Sequence, residues 1–77
     1  MTLKEVLKNL SGYYFIHDKN HECICINHED YLDDDDYPKA TEEILNQYED
    51  YEVYMISPSY DGWSSPWIDL YIDKEEN

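Results

Sequence analysis

The chain has 77 residues, with nineteen Asp and Glu against five Lys, no Arg, and a formal net charge of −14. That length permits one domain, which buries roughly 60% of the surface its unfolded form exposes, and that charge opposes compaction while attracting cationic surfaces. An apolar content of 42% and nine tyrosines weigh against a disordered chain, and the anionic excess excludes direct phosphate neutralisation on a nucleic acid.

Leu3, Val6, Leu7 and Leu10 fall at helical spacing, and Thr2 with Glu5 forms a capping box, so residues 2–10 are predicted as a short amphipathic helix closed by Ser11-Gly12. Tyr13–His17 and Glu22–Asn27 read as the strands of a β-hairpin around the polar Asp18–His21. The second strand alternates Cys23, Ile24, Cys25 and Ile26, apolar on both faces. It is therefore expected in the middle of a sheet, with helices on one side and aromatic groups on the other. Cys23 and Cys25, two apart on a strand, should point to one face as reduced, core-facing thiols.

His28–Tyr37 breaks the periodicity with a run of carboxylates and is expected to be a loop. Pro38 suits the first turn of a second helix over 38–48, with Ala40, Ile44, Leu45 and Tyr48 inward. Glu52–Ser57 and Trp67–Asp73 read as two further strands. The latter turns Ile68, Leu70 and Ile72 to the core, and the 58–66 connection bends at Asp61-Gly62. Residues 73–77 should fray. The expected fold is a single α+β domain over 1–77 of order α-β-β-α-β-β, a four-stranded antiparallel sheet packed by two short helices.

The first candidate surface is the acidic one: Glu29, Asp30, Asp33, Asp34, Asp35 and Asp36, followed by Glu42, Glu43, Glu49 and Asp50. A run of Asp is commonly a solvated loop, yet carboxylates at this density can also stand in for the phosphates that a Lys- and Arg-lined groove receives. Tyr31 and Tyr37 lie among them, where an amphipathic ring can stack on a cation or fill a pocket, and Trp63 at the tip of the 58–66 loop has the placement of an interface anchor.

His17, His21, Cys23, Cys25 and His28 invite a zinc reading, but a Cys-x-Cys within a strand suits no tetrahedral site and no second pair follows. The Asp33–Asp36 run lacks the alternation and closing Glu of a calcium loop. There is no nucleophile elbow, no phosphate-cradling glycine loop and no arginine for an anionic substrate, so the chain reads as a non-enzyme without cofactors. No basic leader precedes an apolar run, and nothing approaches the roughly 20 apolar residues of a membrane span, which reads as a cytoplasmic protein that meets no membrane.

Taken together, the acidic residues from Glu29 to Asp36 and from Glu42 to Glu52, the interleaved tyrosines and the single-domain size resemble the small acidic inhibitors that phages encode against host defences, the DNA-mimicking anti-restriction and anti-CRISPR proteins. The resemblance is one of class and rests on charge. It implies an inhibitor acting in the host cytoplasm, docked on the nucleic-acid or PAM-reading surface of a basic nucleic-acid-binding partner such as a CRISPR effector complex. The alternative from a different class is a small acidic regulatory or adaptor domain that binds a basic protein through its sheet edge or its 58–66 loop. An unpaired strand edge would also leave room for a homodimer.

Overall fold

The computed structural model describes residues 1–33 and 35–74 as an α+β domain of two helices and one four-stranded sheet. Helix α1, Leu3–Asn9, starts as its sequence dictates: the Thr2 hydroxyl accepts from the Glu5 amide at 3.3 Å and the Glu5 carboxylate accepts from the Thr2 amide at 3.1 Å. It ends at an extended Leu10 rather than at a glycine cap. Gly12, with φ +112°, makes the bend two residues later that leads into β1.

β1 (Tyr13–His17) and β2 (Cys23–Asn27) form the expected hairpin, and β3 (Glu52–Ser59) pairs with β4 (Trp67–Asp73) in a second one. The two hairpins meet through β1 and β4, which run parallel, so the sheet order is β2-β1-β4-β3 and the sheet is mixed, not antiparallel. The reason is packing. Tyr14, Ile16, Ile68 and Leu70 share one face of the central pair, and α2 carries the chain from the β2 edge to the β3 edge, which places β1 and β4 side by side.

β2 is thus an edge strand, contrary to the expectation drawn from its two apolar faces. Its outer edge is covered instead by backbone: the Ile26 amide donates to the Pro38 carbonyl at 2.9 Å, and the Ala40 amide to the Ile26 carbonyl at 3.0 Å. The same pairing explains why α2 spans only Glu42–Tyr48. Residues 38–40 are used as an extended strap, and Thr41 caps the helix by accepting from the Ile44 amide at 3.3 Å. β3 runs through Pro58, which an edge strand tolerates because a missing amide there removes no ladder bond. The N-terminal residues add one short antiparallel bridge to the start of that edge, Thr2 opposite Glu52.

The helix-covered face holds the core: Leu3, Val6, Ile16, Cys25, Leu70 and Ile72 are buried, with Ile44, Leu45 and Tyr48 of α2 packed on them. Ile68, Leu70 and Ile72 point inward as their alternation predicts. The register slips between Ile16 and His17, so that Ile16 faces Cys25 but His17 faces Cys23. This bulge separates the two cysteines. Cys25 belongs to the core cluster, whereas Cys23, half-buried, pairs with His17, whose ring lies on the other face. Asp73, opposite Glu52, is still the last residue of β4; residues 75–77 of the expected frayed tail lie outside the described residues.

Candidate functional site

The face of the sheet away from the helices is aromatic, as the pattern of β2 led one to expect of its second side. Tyr13, Phe15 and His17 of β1 alternate toward it beside Trp67, Asp69 and Tyr71 of β4, because each parallel partner shares a face. Phe15 stacks on Trp67 with ring centroids 4.9 Å apart, and His17 stacks on Tyr71 at 4.8 Å. Asp69 supplies the polar centre of this layer. It accepts from His17 Nε2 at 2.8 Å, from the Trp67 indole N–H at 3.1 Å and from the Ser59 hydroxyl.

His28 is the keystone at one end. Only 1% exposed, it meets Tyr13, Phe15, Tyr31 and Trp67, with centroid distances of 4.6–6.1 Å. Its Nδ1 accepts from the Asp30 amide at 3.1 Å, while Nε2 lies 2.7 Å from the Ser65 carbonyl. Since an amide only donates and a carbonyl only accepts, the ring is the neutral Nε2–H tautomer. The histidine that opens the expected loop is therefore a buried and fully hydrogen-bonded group.

The acidic segment hangs on this keystone. Glu29 and Asp30 form a single 3-10 turn, Glu29–Tyr31, with both carboxylates exposed. Glu29 accepts from the Ser65 hydroxyl at 3.0 Å and from the Tyr13 hydroxyl, a bond that raises the Tyr13 pKa. Tyr31 is half-buried, edge-on to Phe15 at 5.3 Å, so it is part of the aromatic layer more than a projecting anchor. Tyr37, 42% exposed, packs edge-on against Tyr31 at 5.7 Å. Asp33, Asp35 and Asp36 are exposed; Asp34 lies outside the described residues.

The 60–66 loop joins the same end of the molecule. Asp61 builds it by accepting from the Ser64 amide at 2.9 Å and the Trp63 amide at 2.8 Å, which lowers the Asp61 pKa, and Trp63 at its tip is 94% exposed. Through Ser65, bound by both His28 and Glu29, this loop and the acidic turn form one surface. Trp67, by contrast, lies on the sheet.

The other acidic candidates sit elsewhere. Glu42 and Glu43 are exposed in the first turn of α2, and Asp50 is exposed beyond its end. Glu49 is half-buried, and its carbonyl accepts from the Lys4 amide at 3.0 Å at the start of α1. β3 begins at Glu52 and ends at Ser59, which puts Glu49 and Asp50 roughly 23 Å of strand away from the Trp63 loop. The predicted set therefore divides in three: Glu29 to Tyr37 with Trp63 at one end, Glu49 and Asp50 at the other, and Glu42 and Glu43 on the first turn of α2.

Among the described residues, no three His, Cys, Asp or Glu side chains converge as a metal site would require, and the cysteines explain why: Cys25 is in the core while Cys23 is on the far side of a bulge. Burial pushes the Cys25 thiol up to about 12, with a further contribution from Cys23; burial and then the nearby Asp69 raise Cys23. Among the described residues no helix is long and apolar enough to cross a membrane. The Asp69 centre and the buried His28 escaped sequence reasoning. Their one signal was the i, i+2 recurrence of Tyr13, Phe15 and His17 against Trp67, Asp69 and Tyr71. Comparison with protein-family models, with curated proteins and with solved structures found no match.

Proposed function

We propose that the chain is an acidic protein inhibitor that mimics nucleic acid and blocks the nucleic-acid-binding surface of a host defence complex, as an anti-CRISPR protein does, and that it acts by binding rather than by catalysis. One observation carries this reading: an elongated body with Cα extents of 41 × 24 × 23 Å carries a net charge of −14, so the charge averages roughly one per 3 Å of its length. Duplex DNA presents about one per 1.7 Å and a single strand about one per 3.4 Å. A cationic groove built for a nucleic-acid strand meets a comparable density here.

The exposed carboxylates of Glu29, Asp30, Asp33 and Asp35 supply the steering field, and the exposed rings of Trp63 and Tyr37 the apolar contact. In such a division charge sets the association rate and ring burial the dissociation rate. The test is capture of the tagged protein's partner from host lysate at low salt, repeated with excess duplex DNA or RNA. Release of a nucleic-acid-binding complex by the competitor supports mimicry. Capture that ignores competitor refutes it.

That second outcome favours the regulatory or adaptor reading, which has an observation of its own: Tyr54, Met55 and Ile56 on the β3 edge, with Tyr60 and Trp63 beyond it, are exposed large apolar groups. In that case a basic protein would dock on the sheet edge or the 60–66 loop.

A further inference from the structure

At the end of the sheet where β1 begins and β4 begins, an open cleft of about 420 Å³ lies between Tyr13, Pro58, Ser59, Tyr60, Pro66 and Trp67. Its lining carries no Lys, Arg or His, and three of its side-chain donors are already taken. The Tyr13 hydroxyl is given to Glu29, the Trp67 indole N–H to Asp69 at 3.1 Å, and the Ser59 hydroxyl to the same Asp69 carboxylate. Pro58 and Pro66 have no amide to offer. The side-chain donors of three wall residues are thus engaged by carboxylates, and the cleft, whose lining also takes in Ser11, Gly12 and Ile68, offers three aromatic residues and two prolines with anionic groups behind them.

Such a surface repels anions and attracts a flat organic cation. The negative face of an aromatic ring binds a cation most strongly where the site is partly desolvated, and the carboxylates on Tyr13 and Trp67 add to that potential. A guanidinium fits better than an ammonium because it is planar, stacks on rings and sheds its hydration more easily. The chain contains no arginine of its own to fill the site.

We propose that this cleft receives an arginine side chain of the basic partner, its guanidinium stacked on the rings of Tyr13, Tyr60 and Trp67; that the arginine belongs to a partner rests on the function proposed above. The cleft adjoins the loop that carries Trp63, so one insertion and one projecting ring would lock the same docked surface.

The isolated protein suffices for the test. N-acetyl-arginine amide is titrated at constant ionic strength while the Trp67 indole N–H resonance is followed by NMR, with N-acetyl-norleucine amide and tetramethylammonium as parallel probes. The expected result is a saturable shift with a Kd on the order of 10 mM, weakened roughly two- to five-fold in Tyr60→Ala and in Glu29→Gln. Tyr60 is 67% exposed, so its removal should leave the melting temperature unchanged. No saturable shift, an equal response to the norleucine amide, or tighter binding of tetramethylammonium would each overturn the assignment. Arginine binding without nucleic-acid competition on a partner would refute mimicry and leave the cleft standing; competition without arginine binding would do the reverse.

Discussion

The imidazole of His28 donates to the carbonyl of Ser65 at 2.7 Å across 37 positions of chain, and this bond is what fastens the acidic turn to the aromatic loop. The other ring nitrogen holds the Asp30 amide, so a single buried side chain sets the position of two loops that the sequence keeps far apart. Replacing His28 by Ala removes both bonds and opens a void among four rings. The expected loss is about 2–4 kcal/mol in urea denaturation, most of the stability of a domain this small. A loss under ~1 kcal/mol would show that the loops are held by other means.

Charge repulsion is expected to limit stability. Glu52 stands directly opposite Asp73 on neighbouring strands, its charge offset by the N-terminal ammonium 3.0 Å away, but with five Lys against nineteen Asp and Glu most carboxylates of the chain have no such partner. Raising salt from about 0.01 to 0.1 M shortens the screening length from roughly 30 to 10 Å, and the melting temperature should rise by several degrees. A flat or falling response in thermal circular dichroism contradicts this.

The thiols give a pH dependence with a definite sign. Burial raises Cys25 from 9.0 to about 12 and raises Cys23 in the same direction, so the folded state holds their protons longer than the unfolded chain does. The contribution of the neutral thiols is complete below 9.0 and is lost as pH climbs from there toward about 12. Thiol-reactive dye at pH 8 should label Cys25 only on unfolding; rapid labelling of both thiols in the native state would disprove its burial.

Trp63 and Trp67 should respond in opposite ways. Trp63, 94% exposed, emits as a water-exposed indole and is quenched by acrylamide, and Trp63→Ala should change stability by no more than about 0.5 kcal/mol. Trp67 stacks on Phe15 and binds Asp69, so Trp67→Ala should cost about 3 kcal/mol or more. Fluorescence-monitored denaturation of the two variants separates these outcomes. Partner binding should fall in Trp63→Ala while the fold persists.

Asp33→Asn combined with Asp35→Asn should slow association with the captured partner and flatten its salt dependence, leaving dissociation nearly unchanged, because exposed charges act on the encounter. Unchanged association kinetics would remove this segment from the steering field.

Local patterns carried a large share of the fold. The Thr2–Glu5 capping box, the 3.6-residue spacing of Leu3, Val6 and Leu7, the two hairpins and the inward alternation of Ile68, Leu70 and Ile72 depend on neighbours in sequence, and each was legible there. Pro38 misled because its place depends on a distant partner: the hydrogen bond from Ile26 turns 38–40 into an edge strap and delays α2 to Glu42.

The site divides along the same line. The strong acidity, the carboxylates of Glu29–Asp36 and the turn that carries Trp63 could all be read along the chain, since charge and turn chemistry need no third dimension. The parallel run of β1 and β4, the bulge that parts Cys23 from Cys25, and the meeting of Glu29, Ser65 and Tyr13 far from Glu49 and Asp50 emerge only on folding. Those relationships arise when two hairpins bury their shared faces, and burial couples residues by space rather than by spacing.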